Sequence, residues 1–281
     1  MDRKKFFTAA GLLGLSTAFG GSLFEQQKNL LHMLIINKAS ERQKAGHGNF
    51  NINIVLPGLN AENGDLGFYN LGRFDDAHLK PGAFVGMHPH KNDEILTLMR
   101  GGTMLHKDST GKEVAVTPQN IMMMNSGSGI YHEESIPIEK YKEDVRLLQI
   151  FIRPENENNS PQVQFANAGE LVLNHWRLVA GLKKSNAPLE IKSNILVYDI
   201  DLENAEVRLP KPYFQNTAYF IYVFEGELNI SETVLEKGDS IITDNGNLNV
   251  QANTKSTAVC FMIDKDASFT KNGMYSGMRR N

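Results

Sequence analysis

Cysteine occurs once, at Cys260, which excludes an intramolecular disulfide and any site built from several thiolates. A metal in this chain must therefore be held by histidine and carboxylate. Basic clusters are equally scarce: no run of Lys and Arg exceeds three residues, and 29 basic against 32 acidic side chains leave a formal net charge of −3. Without an electrostatic footprint for a phosphate backbone, direct binding of nucleic acid is disfavoured. Beyond the first two dozen residues no apolar run reaches spanning length, so no stable membrane span is expected. Long stretches of helical periodicity are missing as well, which turns attention to strands.

What is present is a globular composition: 281 residues, 41% hydrophobic and 22% charged, enough for one large or two ordinary domains. At the start, Arg3, Lys4 and Lys5 precede the apolar, small-residue run Phe6–Gly20. That is the layout of a secretory signal peptide, with a small-x-small cleavage option at Ala18-Phe19-Gly20. The start is similar to a bacterial twin-arginine leader, with Lys4 where the second arginine would stand. Residues 1–24 are thus expected to be a leader that sends the protein to the periplasm or outside the cell. The alternative is a cytoplasmic protein with an N-terminal helix.

Between Phe24 and about Ala45, the spacing of Leu30, Leu31, Leu34 and Ile35 fits a short helix or a linker. After Gly46-His47-Gly48 the texture becomes that of strands. Phe50-Asn51-Ile52-Asn53-Ile54 alternates strictly, and Ile95–Met99, Glu113–Val116, Ile121–Met124 and Val145–Ile152 are each bounded by turn formers. The polar segment from Arg153 to Pro161 breaks the pattern and reads as a boundary. Short strands then resume, from Trp176–Val179 through Val259–Met262. Two β domains are expected, over residues 45–155 and 162–265, followed by a tail over 266–281.

The two halves read as a diverged repeat, because Ile95–Gly101 has a counterpart in Phe220–Gly226. Aligned on those glycines, the places of His88, His90 and Glu94 fall to Tyr213, Gln215 and Tyr219. Aligning Gly246 on Gly129 puts Asn249 and Gln251 at the places of His132 and Glu134. One pocket is therefore expected, in the first half only.

That pocket is suggested by two pairs, His88 with His90 and His132 with Glu134. Residues two apart on a strand point to the same face, so the four side chains can meet. Neutral imidazoles with a carboxylate and open coordination positions suit a first-row metal. Fe(II) is the leading choice, and Mn, Ni, Cu and Zn are admitted by ligand type. His32, His78 and His175 read as structural or surface residues, and His106 as a hydrogen-bond partner of Asp108 in a hairpin. Met122, Met123 and Met124 read as core residues of a strand, and Phe50, Phe84 and Phe151 likewise as core.

The spacing Gly82-x5-His88-x-His90-x3-Glu94-x6-Gly101 reproduces the first signature motif of the cupin superfamily position for position. Of the second motif, Gly129-x2-His132 is kept, with Gly127 where the superfamily has proline. Within the cupins, three segments together resemble the pirin family: His88-Pro89-His90-x3-Glu94-Ile95, Gly102-x3-His106-x-Asp108-Ser109-x-Gly111, and Gly127 through Glu134. The resemblance implies an all-β bicupin, two jelly-roll barrels in tandem, with one iron in the first barrel held by His88, His90, His132 and Glu134. It also implies quercetin 2,3-dioxygenase activity, the oxygen-dependent opening of a flavonol ring, with a small aromatic substrate and dioxygen as partners. A role reported for other members, control through a protein partner, gives the alternative of a non-enzymatic metal-binding module.

The two motifs disagree about the carboxylate, since cupins at large use the glutamate matching Glu94 and pirins the one matching Glu134. Both stand an even number of residues from a candidate histidine, so strand parity leaves the choice open. The pirin-like second motif favours Glu134, which would also take the hydroxyl proton of a substrate. Glu94 would then orient a histidine from behind.

Overall fold

The computed structural model describes residues 32–56 and 64–277; the expected leader over residues 1–24 lies outside them. The first strands are β1 (Leu34–Asn37), β2 (Gln43–His47), β3 (Phe50–Leu56), β4 (Leu71–Leu79), β5 (Phe84–His90) and β6 (Glu94–Gly101). Next come β7 (Met104–Asp108), β8 (Glu113–Val116), β9 (Asn120–Asn125), β10 (Ile130–Ser135), β11 (Val145–Ile152) and β12 (Gln162–Asn167). The second half holds β13 (Arg177–Gly181), β14 (Leu189–Glu190), β15 (Ile195–Leu202), β16 (Ala205–Arg208) and β17 (Thr217–Glu225). It closes with β18 (Glu227–Ile230), β19 (Thr233–Glu236), β20 (Ser240–Thr243), β21 (Asn249–Ala252) and β22 (Ser256–Asp264).

Two cupin-type domains of one plan result. The first stacks a seven-stranded sheet, β12-β9-β6-β11-β4-β3-β2, on a four-stranded one, β5-β10-β7-β8. The second repeats this as β1-β20-β17-β22-β15-β13-β14 with β16-β21-β18-β19. β6 and β17, the strands matched in sequence, hold the same place in their sheets. The expected closed barrels are instead open sandwiches. The turn Lys91-Asn92-Asp93, with Asn92 in the left-handed region at φ 54°, carries the chain from one sheet to the other, and β5 and β6 share no ladder.

The domains exchange strands. β1 precedes the first domain but pairs with β20 of the second, Leu34 opposite Thr243. β12 precedes the second domain but pairs with β9 of the first. Pairing across the molecule thus overrides the helical spacing read around Leu34, and the chain crosses the limits at 45–155 and 162–265 that composition suggested. Arg153, read as the start of a polar linker, is 1% exposed. Its guanidinium is spent on Asp65 and on the carbonyls of Tyr69 and Ser276.

The two large sheets face each other across a shared core. Phe74 on β4 meets Phe220, Tyr222 and Phe261 edge-on, at centroid distances of 6.2, 5.0 and 5.3 Å, arrangements that the ring quadrupoles favour. The Tyr222 hydroxyl donates to buried Asp76 at 2.6 Å. Leu96 and Leu98 of β6 join this seam, whereas Ile95 and Met99 face the interior of the first domain. The methionine run divides likewise: Met123 lies in the seam, Met122 and Met124 inside. The interior of the second domain is filled by Tyr219, Ile221, Cys260 and Met262 with their neighbours.

Candidate metal centre

β5 and β10 lie side by side and antiparallel, with His132 opposite His88 and Ile130 opposite His90. Alternation turns His88, His90 and His132 inward and leaves Pro89 and Tyr131 outside; Tyr131 is 53% exposed. An irregularity in register follows: Glu134 faces Val85, so three steps on β5 match two on β10. Such a bulge re-aims side chains. It leaves Glu134 on the inner side, opposite His106 of β7.

The three imidazoles converge. Ring centroids are 4.9 Å apart for His88 and His90, 4.4 Å for His88 and His132, and 4.9 Å for His90 and His132. One nitrogen from each lies within 4.8 Å of the others, and His106, His132 and Glu134 form a second, overlapping group. Among the described residues, both groups lie in the first domain. The counterpart of His88 was misplaced, however. Asn249 of β21 pairs with Arg208 of β16, so Arg208 occupies that place rather than Tyr213. The loop after β16 is longer than the turn after β5, which shifted the alignment.

Hydrogen bonds assign the tautomers. His88 Nδ1 lies 2.8 Å from the Gly86 carbonyl, which requires its proton there and leaves Nε2 bare. His106 Nε2 lies 2.9 Å from Asp108 Oδ2, so its Nδ1 is an acceptor. His132 Nδ1, 3.5 Å away, donates to it, and His132 Nε2 is left without a partner. Burial, with three neighbouring imidazoles adding to it, pushes the His132 pKa down to about 2. His88 and His106 are lowered by burial too. All three rings are neutral at physiological pH, the form in which imidazole binds metal.

Glu134 is the carboxylate at this spot. Gln149 donates a hydrogen bond to it, while Oε1 is buried without a partner and lies 4.0 Å from His132 Nδ1. Burial pushes its pKa up to about 7, against the pull of Gln149. Two buried acceptors left unpaired together, His132 Nε2 and Glu134 Oε1, would each cost about 1–3 kcal/mol. A cation would satisfy both, and the donor set of imidazoles plus one carboxylate fits a first-row metal.

Glu94 stands elsewhere. Its oxygens accept from Asn125 Nδ2 at 2.8 Å and from the Lys192 backbone N–H at 2.7 Å, across the domain seam. It shares the face of Leu96 and Leu98, and the expected role behind a histidine is not seen. Asp93 is the carboxylate that comes near a histidine, with Oδ2 3.5 Å from His90 Nδ1, and the two do not share a hydrogen bond.

A cavity of about 350 Å³ opens beside the histidines. Phe50, Ile52, Leu147 and Phe151 supply apolar wall; Arg73, Asp75 and Gln149 supply polar groups. Arg73 Nε donates to Asp75 at 2.7 Å, and burial lifts the Asp75 pKa to about 6 despite that arginine. Phe50 and Phe151 thus line the cavity rather than only the core, and Phe84 is 66% exposed. Tyr275, from the segment expected to be a tail, also lines it. No periodicity or motif marks Tyr275 in the sequence.

The family model described as Pirin matches residues 61–152, and that of the quercetinase C-terminal cupin domain matches residues 178–263. The chain belongs to the pirin family. An Escherichia coli quercetin 2,3-dioxygenase is 34% identical over 133 residues, which is 47% of this chain and 57% of that one. The pirin fold extends further than this match. The crystal structure of YhhW from Escherichia coli superposes with a TM-score of 0.71 at 25% identity, over 82% of this chain and 97% of that one. Bacterial pirin YhhW in complex with nickel(II) gives 0.71 at 24% identity, over 83% and 99%.

Proposed function

We propose that this pirin is a metal-dependent dioxygenase of flavonols such as quercetin, or of related enolic and catecholic aromatics. The observation that carries the reading is the convergence of three imidazoles and Glu134 on one wall of a largely apolar cavity. His88, His90, His132 and Glu134 would hold the metal, with iron(II) the leading candidate and manganese, nickel, copper and zinc also suited to these donors. When bound, it would supply a Lewis acid with open positions where an enolic oxygen and dioxygen can be brought together.

The residues of the chain do the rest. The apolar wall excludes water and receives the flat face of an aromatic ring. Gln149 holds one side of the Glu134 carboxylate, which would take the hydroxyl proton of the substrate. His106 and Asp108 keep the proton on Nδ1 of His132, and so keep Nε2 bare.

The test is oxygen uptake by protein loaded with iron(II) or nickel(II), measured against a panel of quercetin, simpler flavonols and catechols. Uptake that depends on metal and on His88 supports the reading. Fully loaded protein that consumes no oxygen with any of them sinks it and favours the metal-binding module without turnover. Export remains a separate proposal resting on residues 1–24 alone, and N-terminal sequencing of the mature protein decides it.

A further inference from the structure

After β22 the chain leaves the second domain and closes on the site in the first. Thr270 N–H donates to the Pro154 carbonyl at 2.9 Å and Met274 N–H to that of Lys91 at 3.0 Å. The backbone N–H groups of Tyr275 and Ser276, and the Ser276 hydroxyl, then all donate to the Asp93 carboxylate, at 3.1, 2.9 and 2.7 Å. Arg153 Nε holds the Ser276 carbonyl from the other side at 2.7 Å. Asp93 and Ser276 are both fully buried. The seat admits only bare backbone: a Cβ on Gly72 would come 2.2 Å from the Ser276 carbonyl oxygen, and one on Gly273 would come 2.4 Å from Asp93 Oδ1.

This clasp fixes Tyr275. Its ring stacks on Phe151 with centroids 5.3 Å apart and planes 26° apart. It also lies 4.9 Å from the ring of His90, and it faces the cavity. Asp93 reaches both the backbone of Tyr275 and, at 3.5 Å, Nδ1 of His90. A single buried carboxylate therefore sets the aromatic wall and borders a histidine of the site.

We propose that Tyr275 is a specificity-determining residue, the wall against which a planar, hydroxylated aromatic ligand stacks, seated by the Asp93–Ser276 clasp. The inference rests on the dioxygenase reading for the identity of the ligand. A flat ring offers a face to Tyr275 and Phe151, and its hydroxyl groups meet Arg73, Asp75 and Gln149. Aliphatic enols of similar size lack the face and are bound less well.

The test titrates quercetin into the nickel-loaded full-length protein under nitrogen, following the flavonol absorbance. Tyr275→Ala should weaken binding about tenfold, the scale of losing one stacking partner, and Tyr275→Phe should bind like the wild type. Equal binding by wild type and Tyr275→Ala overturns the wall assignment and leaves the dioxygenase reading standing. Failure of the wild type to bind quercetin removes the flavonol reading instead, and the wall is then decided by stripping the nickel with EDTA. Tyr275→Ala should release it several times faster and Tyr275→Phe at the wild-type rate; equal rates overturn the assignment.

Discussion

Nδ1 of His132 lies 3.5 Å from Nδ1 of His106, and because the one N–H of His106 is on Nε2 and donates to Asp108, His132 can only be the donor. The free nitrogen of His132 is thereby aimed into the site by a residue that need not touch a metal. Such outer partners typically matter 10- to 100-fold for metal affinity. His106→Ala and Asp108→Asn should each weaken nickel binding by about that range in equilibrium dialysis. His78→Ala, which removes only an exposed pairing with Asp144, should leave it unchanged.

The two glutamates separate cleanly by what each loses. Glu134→Gln should abolish or sharply reduce bound metal, measured by elemental analysis. Glu94→Gln should keep the full metal content but lower stability by about 1–3 kcal/mol in urea unfolding, since a buried acceptor of Asn125 and the Lys192 N–H is disturbed. The reverse pattern would restore Glu94 as the ligand.

Metal affinity should depend on pH with a sign set by Glu134. Its pKa in the metal-free fold is raised to about 7, so below that pH a proton must leave as a cation enters. Apparent nickel affinity is expected to rise about tenfold per pH unit up to roughly 7 and then level off. His132, with its pKa lowered to about 2, adds no slope above pH 5. A slope that persists well above pH 7 would assign the proton to another group.

Phe74 joins the domains through three edge-on aromatic contacts. Phe74→Ala should cost about 3–5 kcal/mol. Because the seam is one continuous core, calorimetry should show a single transition at lower temperature rather than the loss of one domain alone.

Much of this molecule could be read from local pattern. His88, His90 and His132 met as alternation required, and the repeat reappeared as matching strand orders. Glu94 was not decidable, because parity holds only along one strand. The turn Lys91–Asp93 moves the chain to another sheet, and Glu94 begins a new count that faces the seam. Closure of the barrels was expected and is absent for the same reason. Tyr275 lay beyond reach altogether, since it meets Asp93 across 182 residues of sequence and neither residue signals the other. Asp93 was visible, three residues after His90, but only the returning chain reveals what its carboxylate is for.

The exchange of strands has a consequence in time. Among the described strands β1 pairs with β20 alone, roughly 200 residues further along, so at about 5–20 residues per second it waits some 10–40 seconds after emerging before Ser240–Thr243 exists. During that interval Leu34, Ile35 and Ile36 are an open strand edge available to any other chain. The last strand of the first sheet, β12, arrives far sooner. A nascent chain of this protein can thus finish its histidine-bearing sandwich while its opening strand is still waiting for a place.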